Sequence, residues 1–371
     1  MDADLPYFVA FSMFPGIGPV RFQLLYDYFS SAKNAWSASA GELRHIGLGT
    51  TLTERFCAFR KTIIIESLLP MLEKAKVTAL SFYDKRYPTL LSEVSDRPFV
   101  LYVKGHRGKL PINLSDTVAV VGTRKVTRYG AQVTQEIAGD LARAGITVVS
   151  GLAYGVDAIA HKAALDSGGA TIAVLGCGVD VVAPASNAGL YKNIIESGRG
   201  AIVSEMPLTM KPGKGLFPAR NRIISGLSRG VVVTEGTEQS GSLITARYAA
   251  EQGRDVFAVP GSITNPYSKG PSKLIRDGAS LITSARDILD AMGITQGKSS
   301  PGNDCPSLST DEQTVWRCLT RGDSQVDAIV RESGLTASMV TGILTVFEMR
   351  GIARNIGENT YSLIKYERNT T

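Results

Sequence analysis

The 371-residue chain is predicted to be an α/β protein built on a mostly parallel sheet with helices on both faces. Three observations predict this. Short β-branched runs recur at 117–121, 146–150, 171–175, 201–204, 230–234 and 255–259, and they alternate with helical patterns at 129–144, 156–167, 187–197, 221–227 and 242–252. Such alternation builds parallel sheets. The strand runs are almost wholly apolar, as strands covered on both faces must be. Glycine-rich segments follow several of these runs and lead directly into the next helix.

Each region can be read in turn. Residues 1–75 read as short helices, with apolar residues at helical spacing in Phe22, Leu25, Tyr26 and Phe29 and again in Phe56 and Phe59. Two Gly-x-Gly turns, Gly16-Ile17-Gly18 and Gly47-Leu48-Gly49, each precede a helix. This is a SAM/helix-hairpin-helix-like layout, in which a tight turn can aim N–H groups at a phosphate. A bundle that merely turns at glycines is the alternative, and the scarcity of flanking Lys and Arg favours it. Residues 76–295 form the Rossmann-like domain, with 76–105 adding edge elements before the first parallel strand. Residues 296–308, around GKSSPGNDCPS, read as a linker. Residues 309–371 read as three short helices and a two-stranded hairpin, a winged-helix domain. Thr336 caps its third helix, and Val340, Ile343, Leu344 and Phe347 form that helix's apolar face.

Composition narrows the chemistry. Lys+Arg number 40 against 34 Asp+Glu, a mild basic bias that is informative only where it clusters. The four cysteines are Cys57, Cys177, Cys305 and Cys318, and they show no C-x-x-C spacing. The three histidines are scattered as well, so neither a disulfide framework nor a metal site is expected. The start MDADLPYF is acidic where a signal peptide is basic, and the apolar stretch 63–72 is broken by Glu66 and Pro70. The expected address is the cytoplasm, with no membrane span.

In an open parallel sheet, ligands bind at the carboxyl ends of the strands. Here those ends read Gly122-Thr123-Arg124-Lys125, then Ser150-Gly151-Leu152-Ala153-Tyr154-Gly155, then Gly176-Cys177-Gly178, then Glu235 through Ser240-Gly241-Ser242. Glycines admit an anion to backbone N–H groups, and a helix N-terminus adds a favourable dipole. The dinucleotide pattern G-x-G-x-x-G is not met, because Val181 stands at its last glycine, and there is no Walker A loop. The most informative stretch is 209–230, TMKPGKGLFPARNRIISGLSRG. It carries Lys211, Lys214, Arg220, Arg222 and Arg229 with no acid. Cations contact phosphates, and Phe217 among them offers a platform for an unpaired base.

These segments, with Val120-Val121-Gly122-Thr123-Arg124, Gly155-Val156-Asp157 and His161, Phe217-Pro218-Ala219-Arg220-Asn221-Arg222 and Val259-Pro260-Gly261, resemble the DNA-processing protein A (DprA/Smf) family in that family's order. The resemblance implies a bacterial protein of natural transformation that binds single-stranded DNA. It also implies protection of incoming strands, help in loading the RecA recombinase, and a homodimer formed through the Rossmann-like domain. It places DNA at Arg124, Lys214, Phe217, Arg220, Asn221 and Arg222, over a floor shaped by Ser150, Gly151, Gly155, Ser240 and Gly241. Tyr154 departs from the family, which more often has arginine there. No catalytic residue, cofactor or metal is expected. The competing reading is a nucleotide-processing enzyme of the lysine-decarboxylase-like phosphoribohydrolase type. In it Asp157 and Glu235 would act as acid and base, but the P-G-G-x-G-T-x-x-E signature of such enzymes is missing.

Overall fold

The computed structural model describes residues 4–105, 108, 110, 114–213, 215–294, 308–320, 322–350, 352–357 and 359–363. The chain divides into two compact units, Met1–Thr295 and Gln296–Thr371.

The first unit opens with helices α1 (Leu5–Ser12), α2 (Pro19–Phe29), α3 (Ala32–Ser37), α4 (Ala40–His45), α5 (Thr50–Arg60) and α6 (Leu68–Lys74). Their apolar faces meet in an aromatic cluster. Phe11 stacks on Phe56 with ring centroids 5.2 Å apart, and Phe22 stacks on Phe99 at 4.1 Å. Phe99 lies beyond the boundary expected at residue 75. The helical core runs on without a break into Ala79, Val100 and Tyr102 of the sheet, and Ser12 Oγ lies 2.6 Å from Tyr102 Oη.

Strands β1 (Thr78–Ser81) and β2 (Val100–Gly105) flank helix α7 (Thr89–Ser92). Both strands pair antiparallel and form the expected edge. The parallel part follows as β3 (Thr117–Val121), α8 (Arg128–Arg143), β4 (Thr147–Ser150), α9 (Val156–Asp166), β5 (Thr171–Val174), α10 (Ala188–Glu196) and β6 (Gly200–Ser204). The chain then continues through α11 (Leu216–Gly226), β7 (Gly230–Val233), α12 (Gly241–Glu251), β8 (Asp255–Ala258), α13 (Lys269–Arg276), β9 (Ser280–Leu281) and α14 (Ala285–Ala291). The strands form a nine-stranded sheet in the order β1-β2-β6-β5-β4-β3-β7-β8-β9.

Strand periodicity sorts β3 between two cores. Val118 and Val120 face α8, α9 and α14, whereas Ala119 and Val121 face α7, α11 and α12. Strand order positions the site. The chain steps outward from β3 to β6, then returns to place β7 on the other side of β3. At that reversal the loops after β3 and β7 diverge and leave a crevice, the usual ligand position in an open α/β sheet.

Helix α11 begins at Leu216, five residues before the expected start at 221. Pro218 reads as a breaker in sequence, but in the first turn its missing N–H has no intrahelical partner to lose. This early start sets the phase of the basic run.

In the second unit, α15 (Thr310–Thr320), α16 (Val326–Ser333) and α17 (Ala337–Met349) pack on a sheet of β10 (Ser324–Gln325), β12 (Thr360–Leu363) and β11 (Ala353–Gly357). Val315, Ile329, Val340, Leu344 and Phe347 fill its core. This is a winged helix, and Thr336 caps α17 by accepting from Met339 N. The two-residue strand β10 was too short to be seen in the sequence. No helix among the described residues is long and apolar enough to cross a membrane.

His161 on α9 ties the strand ends together. Its Nε2 accepts from Leu152 N at 3.3 Å, and its Nδ1 lies 2.7 Å from Thr171 Oγ1, which donates to Val148 O. Complete burial, helped by the charge of Arg220, pushes the imidazole pKa down to about 3. Between that value and the ordinary histidine pKa of about 6.5, the unfolded chain binds a proton that the folded chain refuses. Stability therefore falls as pH drops through this window, by roughly 1.4 kcal/mol per pH unit from this group. We expect His161→Gln to weaken the pH dependence of the urea-unfolding free energy between about pH 6.5 and pH 4.5 by that amount. An unchanged dependence would contradict the assignment.

Candidate nucleic-acid interface

The crevice between the ends of β3 and β7 is an open pocket of about 620 Å³. Gly122, Thr123, Arg124 and Lys125 after β3 form one wall, α11 and the first turn of α12 form others, and Tyr267 closes a side. The loop after β3 is held from below. Thr123 N donates to Glu235 O at 2.7 Å, and the Glu235 carboxylate accepts from Thr127 N and Oγ1. Gly155 has φ +74°, and a Cβ there would run into the carbonyl of Thr123, so this glycine lets the β3 and β4 loops touch.

Helical phase decides what each residue of the basic run does. Phe217, Arg220, Asn221 and Ile224 recur at i, i+3, i+4 and i+7 and line the pocket together. Arg222 falls on the opposite side, where it is 6% exposed and pairs with Glu205 and with Asp96 at 3.3 Å. The expectation that Arg222 contacts DNA is corrected, because a helix cannot present residues 220, 221 and 222 on one face. Burial raises the Glu205 carboxyl above its ordinary pKa, an effect the Arg222 charge opposes.

Arg220 lies on the pocket side of the same helix. It lies in the pocket lining but is only 5% exposed. Its Nη1 donates to Gly151 O at 2.6 Å and to Val174 O, and its Nε donates to Asn221 Oδ1 at 3.0 Å. Nη2 lies 3.9 Å from Asp157 Oδ2. The guanidinium thus bridges the ends of β4 and β5 through Nη1, holds Asn221 through Nε and keeps Nη2 beside Asp157. Gly151 is required beneath it, since a Cβ there would collide with the guanidinium. Asp157, its counter-ion, also accepts from Gly151 N and Ala153 N. Burial raises the Asp157 pKa, and Arg220 opposes the shift.

The remaining expected residues divide the same way. Ser150 is fully buried and donates to Val120 O, bracing two strands. Asn221 Nδ2 donates to Gly241 O at 3.2 Å, anchoring α11 to the start of α12. Ser240 is the N-cap of α12, and the helix opens at the pocket through Ser240, Gly241 and Ser242 with its first-turn N–H groups directed toward the cap. Arg124 is exposed, its guanidinium 5.6 Å from the centroid of the half-buried Phe217 ring. Tyr154 is 51% exposed. Lys214 lies outside the described residues. Lys125 and Thr237, which belong to the strand-end loops read from the sequence, line the pocket, and so does Tyr267, which the sequence reading did not name. Tyr267 arrives from the distant loop after β8 and carried no signal.

Asp157 and Glu235, the acid/base pair of the competing reading, are both occupied in holding loops. Among the described residues, no group of three or more His, Cys, Asp or Glu is placed to hold a metal ion.

Comparison with known proteins identifies the family. The family model of DNA recombination-mediator protein A matches residues 78–293. The chain belongs to this family. Its winged-helix unit matches the DprA winged helix domain over residues 300–357. The chain is 44% identical to protein Smf of Escherichia coli over 319 residues, 83% of each chain. It is 45% identical to the DNA processing protein DprA of Streptococcus pneumoniae over 217 residues, 58% of this chain and 75% of that one. Among solved structures it is similar to DprA of S. pneumoniae, with TM-score 0.65 and 37% identity over 76% of this chain and 95% of that one. It is also similar to DNA processing protein A of Helicobacter pylori, a structure described for its single-stranded DNA binding mode, with TM-score 0.50 and 31% identity over 58% and 95% of the two chains. As a family member, the chain is a DNA-processing protein.

The two arginines of the pocket should behave oppositely on mutation. Arg220→Met leaves Asp157 buried without its counter-ion and should cost about 3–5 kcal/mol of unfolding free energy. Arg124→Ala on the exposed rim should stay within about 0.5 kcal/mol of the parent. Urea denaturation reads both, and equal costs would contradict the division.

Proposed function

We propose that the chain binds single-stranded DNA in the crevice between β3 and β7, without catalysis. One observation carries this reading: the exposed Arg124 guanidinium stands over the Phe217 ring at the mouth of a pocket that also holds Lys125 and the open end of α12. A phosphate needs the cations and N–H groups, and an unpaired base needs the ring. A duplex keeps its bases stacked inside and offers such a crevice only its backbone. Sequence should matter little, because phosphates and π-faces are common to all bases.

In this proposal Arg124 and Lys125, joined by Lys214, make the phosphate contacts. Arg220, Asn221, Ser150, Gly151 and Gly155 shape the floor and hold it. Ser240 and Gly241 present the α12 N-terminus. The family resemblance extends the proposal to protection of incoming strands in the cytoplasm during natural transformation, to assistance in loading the RecA recombinase, and to a homodimer through the Rossmann-like domain. The winged helix is assigned to protein contacts. The exposed Thr341 and Thr345 hydroxyls of α17 bond back to the carbonyls of Ala337 and Thr341, and Arg350 at its end pairs with Glu312. A helix that reads a DNA groove needs free donors and positive charge.

The test is fluorescence anisotropy with labelled oligo-dT and with a duplex of equal length across a salt series. The single strand should bind more tightly. With about three phosphate contacts, the log–log salt slope should be about −2. Phe217→Ala should weaken oligo-dT binding by roughly 1–3 kcal/mol. Preference for the duplex, or a slope near zero, would overturn the proposal.

A further inference from the structure

The turn after β4 holds one ring in solvent beside the crevice. Ser150, Gly151 and Leu152 are buried, Ala153 lines the pocket, and Tyr154 is 51% exposed. Among the described residues the Tyr154 side chain has no hydrogen bond, ion pair or ring contact.

The turn that carries this ring is rigid. Asp157 accepts from Gly151 N at 3.2 Å and from Ala153 N at 3.3 Å. Asn187 Nδ2 donates to Leu152 O at 2.9 Å and to Ala153 O at 3.3 Å. Leu152 N donates to the buried His161 ring. Leu152 itself holds φ +55°, a left-handed conformation that a bulky residue keeps only where its surroundings impose it. Its side chain packs into the core shared by the helices and the sheet, whereas Tyr154 stays in water.

Tyr154 also stands next to the rim cation. Gly155 approaches the β3 loop so closely that a Cβ there would lie 2.4 Å from Thr123 O and 2.9 Å from Arg124 O. Arg124 thus has Gly155 against its backbone and the Phe217 ring 5.6 Å from its guanidinium. Contacts run from Phe217 through Arg124 to the Tyr154–Gly155 corner. Stacking asks for an exposed π-face, and a platform on a fixed backbone loses little freedom when a base arrives.

We infer that Tyr154 is a second base platform. A strand with one base on Phe217 lays a neighbouring base on Tyr154, and Arg124 takes the phosphate between them. This inference rests on the proposed single-stranded DNA binding and adds a stacking subsite to it.

The experiment measures anisotropy of the full chain and of Tyr154→Ala, Tyr154→Phe and Tyr154→Arg. The probes are labelled oligo-dT and a base-free deoxyribose-phosphate strand of equal length. Tyr154→Ala should weaken oligo-dT binding about tenfold, because one stacked base is lost. On the base-free strand the same variant should stay within about twofold of the parent, since phosphate contacts are untouched. Tyr154→Phe keeps the ring and should stay within about twofold on both strands. Tyr154→Arg should steepen the log–log salt slope by about 0.7, trading the ring for one phosphate contact at the same place. An oligo-dT loss below about twofold in Tyr154→Ala overturns the platform. So does an equal loss on the base-free strand, a phenylalanine variant as weak as alanine, or an unchanged slope in Tyr154→Arg. Phe217→Ala weakening oligo-dT in the same assay would then leave the first pocket standing. Failure of the parent to bind oligo-dT would overturn both readings.

Discussion

A guanidinium with almost no access to water holds this pocket in shape. Arg220 ties the ends of β4 and β5 through Gly151 and Val174 carbonyls and is balanced by Asp157. Parallel strands meet their neighbours only through the ladder, and the carbonyls at their ends have no further strand to pair with. One guanidinium nitrogen, Nη1, satisfies two of them at once while Nε reaches Asn221. Burying that charge is costly, and the cost is offset because Nη1 and Nε have partners and a carboxylate lies beside Nη2. The loops that form the pocket walls hang from this brace. Asp157 holds the Gly151–Ala153 turn, and Asn221 links the same helix to the start of α12.

The charges of the domain thus divide by depth. Arg220 and Arg222 are buried, on opposite faces of one helix, and both have acidic partners. Arg124 stays at the rim, where its contact is an aromatic ring rather than an acid. Exposed cations such as Arg124 and Lys125 can exchange hydration for a phosphate without dismantling the fold. A basic run in sequence is therefore a poor count of ligand contacts, because structure and binding draw on the same residues.

Much of the fold could be read in the sequence for a plain reason. Strands buried on both faces must be apolar, so the runs at 117–121, 171–175 and 230–234 announce β3, β5 and β7 nearly to the residue. The position of the pocket followed from the same pattern, since strand ends and glycine loops are local features. Other features were hidden because they depend on phase or on distance. Pro218 concealed the start of α11, and with it the helical phase that separates Arg220 from Arg222. Tyr267 joins the wall from a loop after β8, a placement set by sheet order and not by any nearby residue. The helices of residues 4–75 share a core with β1 and β2, so the boundary read from the change of hydrophobic pattern is not a boundary in packing.

The central claim is that an unpaired base meets Phe217 at the pocket mouth. Photocross-linking addresses it most directly. An oligo-dT carrying iododeoxyuridine would be irradiated on the full chain, and the adduct located by peptide mass spectrometry. The account predicts adducts at Phe217 and Tyr267, lost on competition with unlabelled single strand. Adducts confined to the N-terminal helices or the winged helix would contradict it.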